Sequence, residues 1–362
     1  MSKHLTTRAG SATDVGMHRD NNEDSLSIAG TLHVVADGMG GHEAGEVASR
    51  LCVRTLAYSH MFSRPGGMTE EEQEAYNAEV SAEGASSEEG EGAGLLRRRK
   101  NTSALNRQIM RTLEKLREAI GEADEKIKDM LGQRAGTTVT GAWLTSIGDQ
   151  DMWFIFNVGD SRTYRLVRDE EVLTDAADIS MSAASIDGLT LEQITVDHSE
   201  VQYLVDTGQI TEIEALTHPR RNVITRALGT GNYWEPDFWV IPAHPGDRMM
   251  MCSDGLSGEL SHAYMARVLA TVEHPQDAAD VLQMAALRAG GRDNISVIVA
   301  DALQDDSEDS AEPLTETTVL SIVDESQNFD TKHTATDEQE SYRDERNLMR
   351  EKKNSANGSV EA

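Results

Sequence analysis

The sequence predicts an α+β fold in which antiparallel sheets are flanked by helices, and two observations carry that prediction. Apolar, strand-like runs recur at Leu32–Ala36, Met152–Val158, Thr163–Val167, Met249–Cys252 and Ile295–Ala300. Helical patterns lie between them: Glu43 to Tyr58, Leu105 to Leu131 with Leu113, Leu116, Ile120 and Ile127 at helical spacing, and Asp277 to Ala289. Strand runs interleaved with amphipathic helices suit sheets covered by helices on their outer faces.

At 362 residues the chain has room for one large domain or two ordinary ones. Its 38% hydrophobic and 4% aromatic content calls for a core of aliphatics and Met. The formal net charge of −30 is unevenly placed: Glu70–Glu91 holds nine acids and no base, and Leu303–Ala362 holds sixteen acids against six bases. The remaining body is only moderately acidic, and no broad basic face is available for nucleic acid. Cys52 and Cys252 lack zinc or disulfide spacing and read as free, buried thiols. The N-terminus MSKHLTTRAG has no signal-peptide core and no run is long enough to cross a bilayer, which predicts a cytoplasmic chain.

Three segments stand apart from the core pattern. Residues 63–94 are rich in Glu, Gly and Ser without an apolar period and read as a disordered acidic loop, running into the basic cluster LLRRRK, Leu95–Lys100. Together they form an insertion at about 63–100. Thr174–Leu189 reads as a second, shorter insertion within a hairpin. The tail, 303–362, is polar and acidic apart from Val319–Val323 and reads as mostly disordered. A single domain over about 1–302 is therefore expected.

The candidate chemistry lies in aspartates at strand ends. In VVADGMGGHEAGEVASR, an apolar run meets Asp37 and then Gly38, Met39, Gly40 and Gly41 before a helix begins. Those glycines permit positive φ and close approach of the backbone to a phosphate or a metal ion. Asp254 ends MMMCSDG, Asp160 ends FIFNVGDSR, and Asp293 opens the run in GGRDNISVIVA. Any one alone reads as a turn-former or helix cap. Gathered at one end of a sheet pair, four would repel one another and raise their own pKa values. A hard divalent cation resolves that repulsion, and oxygen donors select magnesium or manganese over zinc. Near the N-terminus Arg19 precedes Glu23 and Asp24; alone it reads as a surface pair, whereas beside a metal site its planar fork suits a phosphate.

The blocks RDNNED, VVADGMGGHEAGEVAS, GTTVTGAWL, FNVGDSRTYRL, TVDHSEVQYLVDTGQIT, HPRRNVITRALG, GDRMMMCSDGLS and GGRDNISVIVA, in this order, closely resemble the bacterial metal-dependent serine/threonine protein phosphatases of type 2C. The resemblance implies a four-layer α-β-β-α sandwich of two antiparallel sheets. It implies two Mn2+ or Mg2+ ions, with Asp37 bridging them and the Gly38 carbonyl as a ligand. Glu23 would hold the second ion, Asp254 and Asp293 the first, and Arg19 the substrate phosphate. His42 matches the position considered for a general acid; the alternative is a histidine near a helix N-terminus that orders solvent or neighbouring groups. Asp160 matches a third, weaker metal site completed by Asp254. There the chain departs from the pattern with Gly258 followed by Glu259, so either Glu259 stands in or that site is weaker.

By the same resemblance, His198–Gly229 is a flap beside the active site. Its Arg220, Arg221 and Arg226 meet an acidic phosphopeptide or stabilise the flap itself. The expected activity is hydrolysis of phosphoserine and phosphothreonine in proteins by a metal-activated water. Phosphoproteins made by a serine/threonine kinase, and the kinase itself, are the expected partners. The alternatives are a catalytically weak phosphoprotein-binding relative and a phosphatase for small phosphoesters or a sigma-factor regulator. The Thr- and Ser-rich stretch EPLTETTVLSIVDES reads as spacer or as a site of phosphorylation or docking.

Overall fold

The computed structural model describes residues 4–40, 44–85, 93–168, 183–186, 188–304 and 318–320. The chain opens with three strands, β1 (Leu5–Asp14), β2 (Asp24–Ala29) and β3 (Leu32–Gly40). Helices α1 (Ala44–Ala57), α2 (Glu70–Ala85) and α3 (Ala93–Leu131) follow. Strands β4 (Ala135–Thr137), β5 (Val139–Ile147), β6 (Gln150–Val158), β7 (Arg162–Arg168), β8 (Ala183–Ile186) and β9 (Leu189–Gln193) come next. Two short helices, α4 (Glu200–Asp206) and α5 (Glu212–Leu216), lead into β10 (Asp237–Pro242) and β11 (Arg248–Cys252). The remaining elements are α6 (Asp254–Ser257), α7 (His262–Thr271), α8 (Pro275–Ala289), β12 (Ile295–Gln304) and β13 (Thr318–Leu320).

The strands form two antiparallel sheets. One runs β1-β12-β11-β7-β9-β8 and the other β10-β6-β5-β3-β2-β13, with β4 paired to β3. The continuous apolar runs arise because both faces of the central strands are covered. In β11, Met249 and Met251 point between the sheets while Met250 and Cys252 point to the outer helices; in β6, Trp153 and Ile155 point inward and Phe154 and Phe156 outward. Leu26, Val35, Leu144, Ile298 and Ala300 complete the inter-sheet layer. Helices α1 and α3 close one outer face around Cys52, Leu116, Ile120 and Phe154, and α7 and α8 close the other around Leu269, Leu282 and Val297. The expected four layers are therefore present. A buried ion pair, Arg165 to Asp247 at 2.8 Å, ties the sheets as Trp153 Nε1 donates to the same aspartate.

The acidic stretch read as a disordered loop is corrected here, because residues 70–85 form α2. A capping box starts it, with Thr69 N–H donating to Glu72 Oε2 and Glu72 N–H to Thr69 Oγ1. Tyr76 is buried beneath it near Gly148, Met68 is buried just before it, and Lys115 on α3 holds Glu72 at 2.7 Å. Residues 86–92 lie outside the described residues. Helix α3 begins at Ala93, so the backbone of the basic cluster 95–100 is helical. Residues 183–186 of the second insertion extend a sheet as β8, and 174–182 lie outside the described residues. In the tail, Thr318–Leu320 pairs with β2, opposing Leu320 to Leu26; residues 305–317 and 321–362 are likewise outside. Both cysteines are free and buried, as expected. Among the described residues no helix is long and apolar enough to cross a membrane.

Candidate active site

One end of the sandwich collects the predicted residues. Arg19 and Glu23 lie on the β1–β2 loop and Asp37 and Gly38 near the end of β3; Asp160 is on the β6–β7 turn, Asp254 opens α6, and Asp293 precedes β12. His42 lies outside the described residues.

The glycines after Asp37 answer a steric need. Neither Gly38 nor Gly40 has positive φ, so of the two properties glycine offers there it is close approach that these positions use. They are close-approach positions: a Cβ on Gly38 would stand 2.2 Å from the Gly45 carbonyl oxygen and 2.5 Å from that of Glu23. The Gly38 N–H donates to the Glu23 carbonyl at 3.1 Å, drawing the β2 entrance against β3. A Cβ on Gly45, in the first turn of α1, would meet Glu23 Oε1 at 2.7 Å. Asp254 is placed similarly: a Cβ on the next residue, Gly255, would lie 1.9 Å from the Asn294 carbonyl oxygen.

Electrostatics show how closely the acids interact. Burial, then the charges of Asp24, Asp254, Asp160 and Asp293, push the Asp37 carboxyl well above the usual carboxylate range. Burial and Asp254 do the same to Asp160. Burial and Asp293 raise Asp254, partly offset by its hydrogen bond to Asp37. Burial raises Glu23 as well, against the pull of Arg19. Arg19 is half-exposed and donates to Asp293 Oδ2 at 2.7 Å, so it joins the carboxylates rather than forming a Glu surface pair. Burial opposes its charge, but Asp293, Asp37 and Glu23 outweigh that and hold it protonated.

Among the described residues these side chains do not form a preassembled three-ligand group, and the Arg19 guanidinium sits against them through Asp293. The donor chemistry nevertheless fits a hard divalent cation: every donor is oxygen, and the crowded carboxyls ionise together only when positive charge is supplied.

Sequence reasoning missed the residues that hold this set in place. Asp24 is buried and accepts from Ser253 Oγ at 2.7 Å, and among the described residues its Oδ1 has no hydrogen-bond partner. Burial, eased by Ser253 and Ser296, pushes it up to about 7. Thr138 Oγ1 accepts the Asp37 N–H at 3.0 Å and bonds Ser161 Oγ at 2.8 Å, bracing the Asp160 turn. Asn294 accepts the Glu23 N–H and donates to the carbonyls of Val15 and Asn21. The signals were present as the polar neighbours in NNEDS, GTT, SDG and RDN, yet a hydroxyl or amide beside a carboxylate does not reveal its partner from sequence alone.

Glu259 is held by Arg292. Its buried carboxylate accepts Arg292 Nε at 2.7 Å and the Arg292 N–H at 3.1 Å, so it fastens the loop bearing Asp293. In the flap, Arg226 donates to Asp237 Oδ1 at 2.7 Å and Arg220 pairs with Glu200, while Arg221 is exposed.

Comparison with known proteins agrees with this architecture. Residues 18–289 match the family model for protein phosphatase 2C. The serine/threonine protein phosphatase PstP of Mycobacterium tuberculosis is 34% identical over 302 residues, 83% of this chain and 46% of that protein. The chain thus spans about half the length of that relative. The serine/threonine phosphatase stp of Listeria innocua is 30% identical over 80% of this chain and 93% of its own. Among solved structures, the PstP catalytic domain in complex with two manganese ions aligns with a TM-score of 0.57 at 31% identity, covering 83% of this chain and 99% of that one. With its family-model match over residues 18–289 and its two-sheet architecture, the chain belongs to the protein phosphatase 2C family.

Proposed function

We propose that the chain is a metal-dependent protein phosphatase that hydrolyses phosphoserine and phosphothreonine. The observation that carries this reading is the convergence of Glu23, Asp37, Asp160, Asp254 and Asp293 with Arg19 at one end of the two sheets. Glu23, Asp37, the Gly38 carbonyl, Asp254 and Asp293 would hold two Mn2+ or Mg2+ ions, and Asp160 with Asp254 a weaker third. When bound, such ions supply an activated water as nucleophile and neutralise phosphoryl charge. Arg19 is half-exposed beside the partly buried acids, where its fork can take phosphoryl oxygens. Asp24, Thr138 and Asn294 orient the neighbouring strand ends. His42 retains the role of candidate proton donor by its position after the glycines.

The likeness to PstP and stp supports phosphoproteins as substrates; the proposal adds a serine/threonine kinase and its targets as partners in cytoplasmic signalling. Glu23, Asp37, Asp254 and Asp293 are all present, so nothing in the chain favours a non-catalytic, phosphoprotein-binding relative. Phosphate release from a phosphothreonine peptide tests the proposal. Turnover with manganese that disappears with chelator and in Asp37→Asn supports it; no turnover from folded, manganese-supplemented wild type contradicts it.

A further inference from the structure

Asp254 and Asp293 come to the candidate site on two separate segments. Asp254 opens α6, and Asp293 lies on the loop between α8 and β12. The segments meet where Ser253 N–H donates to the Ser296 carbonyl at 3.0 Å and where Gly255 lies against the Asn294 carbonyl. They are joined a second time by Glu259, which follows α6, and Arg292, the residue before Asp293.

The Glu259 side chain is 4% exposed and that of Arg292 is 65% exposed, so a guanidinium at the surface holds a buried carboxylate. Glu259 Oε1 accepts the Arg292 backbone N–H at 3.1 Å and its Nε at 2.7 Å, and Oε2 accepts Nη2 at 3.1 Å. Main chain and side chain of one residue thus close on one carboxylate, which fixes the loop itself and not only the tip of a long side chain. A Cβ on Gly290 would stand 3.2 Å from Oε2, so the carboxylate also covers the start of the loop. Burial favours a protonated Glu259, but the bonds and charge of Arg292 outweigh it and hold the carboxyl below its ordinary range.

The clasped loop is also the seat of Arg19. Met17 N–H donates to the Gly291 carbonyl at 2.7 Å, and a Cβ on Gly16 would lie 2.1 Å from the Asp293 carbonyl oxygen. The chain leaving β1 therefore rests directly on residues 291–293. Two residues further, Arg19 Nη2 donates to Asp293 Oδ2 at 2.7 Å, while Asp293 Oδ1 accepts the Asn294 N–H at 2.9 Å.

Resting on the assignment of Asp254 and Asp293 to one ion and of Arg19 to the phosphate, we propose that Glu259 and Arg292 are positioning residues. Their clasp sets the spacing between the Asp254 and Asp293 segments. Through residues 291–293 it also sets the seat from which Arg19 meets a phosphoryl group. Side chains behind the ligands act on ion binding by orienting them, without touching the ion.

The test compares full-length wild type with Glu259→Gln, Glu259→Ala, Arg292→Ala and the double alanine variant. Calorimetry gives the Mn2+ affinity, hydrogen exchange in chelator follows the Met17 amide, and a phosphothreonine peptide gives kcat/KM. Urea unfolding in chelator reports the fold separately. Each single alanine variant weakens Mn2+ binding about tenfold and lowers kcat/KM about tenfold, the lower end of what loss of a group behind a metal ligand costs. The Met17 amide exchanges about tenfold faster, the scale of one weakened hydrogen bond. Glu259→Gln is nearly isosteric and keeps an acceptor for the Arg292 N–H, so it shows the same changes at smaller size even where the alanine variants fold poorly. The double variant is no worse than either single one, because the two side chains act as a unit. A lowered urea midpoint with wild-type Mn2+ affinity and kcat/KM marks a contact of the fold alone and overturns the proposal. Losses that add in the double variant overturn it as well. In both cases tight Mn2+ binding by wild type leaves the metal-site reading intact, whereas no Mn2+ binding by folded wild type overturns both.

Discussion

Asp24 and Asp37 face each other in register across β2 and β3, a buried and a partly buried carboxyl group on adjacent strands. Ser253 satisfies one oxygen of Asp24, but burial still lifts its pKa to about 7 from an ordinary 3.8. Folded protein therefore keeps a proton that unfolded protein has released between about pH 4 and 7. Stability in chelator falls as pH rises through that window, by up to about 4 kcal/mol for a shift of this size. Urea unfolding at pH 5 and pH 8 measures it. Asp24→Asn flattens the slope, whereas an unchanged slope assigns it to other groups.

Arg19 is expected to act on phosphate rather than on the fold. Its pair with Asp293 is half-exposed and contributes little stability. Arg19→Ala leaves the urea midpoint nearly unchanged and lowers kcat/KM on a phosphopeptide about ten- to hundredfold, the range of a lost charge-assisted contact. A large shift of the midpoint would show that Arg19 mainly supports the carboxylate loops.

Gly38 bears on both packing and chemistry. A methyl group there meets two backbone oxygens, which cannot swing aside as a side chain can. Gly38→Ala is expected to lower stability by about 1–3 kcal/mol and to weaken Mn2+ binding together with it. Equal stability and equal Mn2+ affinity would mean that the β3 end yields easily.

Helix α2 depends on its cap and on Tyr76. Thr69→Ala removes the capping bond and costs about 1 kcal/mol. Tyr76→Ala removes a buried ring and costs about 3 kcal/mol or more if α2 folds with the domain. Limited proteolysis within residues 70–85 reports the result. Rapid cleavage of wild type would contradict a docked helix.

The candidate site was legible because its acids share one arrangement: Asp37 lies near the end of a buried strand, Asp160 and Asp254 follow such strands and Asp293 precedes one, so two-sided burial marked the strands and the polar residue at each boundary marked the end. Strand β1 was missed because LTTRAGSATD mixes polar and small residues and lacks an apolar run. Helix α2 was missed for a related reason. Nine acids between Glu70 and Glu91 hid one buried tyrosine and a TEEE cap that composition cannot weigh. The His198–Gly159 bond joins residues 39 apart in the chain, and no local pattern reports a contact at that range.

On the proposed function, the acidic end of the sandwich is a dinuclear metal site organised by Asp37. Equilibrium titration of Mn2+ onto chelator-stripped wild type and Asp37→Asn, counting bound ions by calorimetry, decides it. Two tight ions on wild type and at most one on the variant are predicted. The same number of tightly bound ions on both proteins would contradict it.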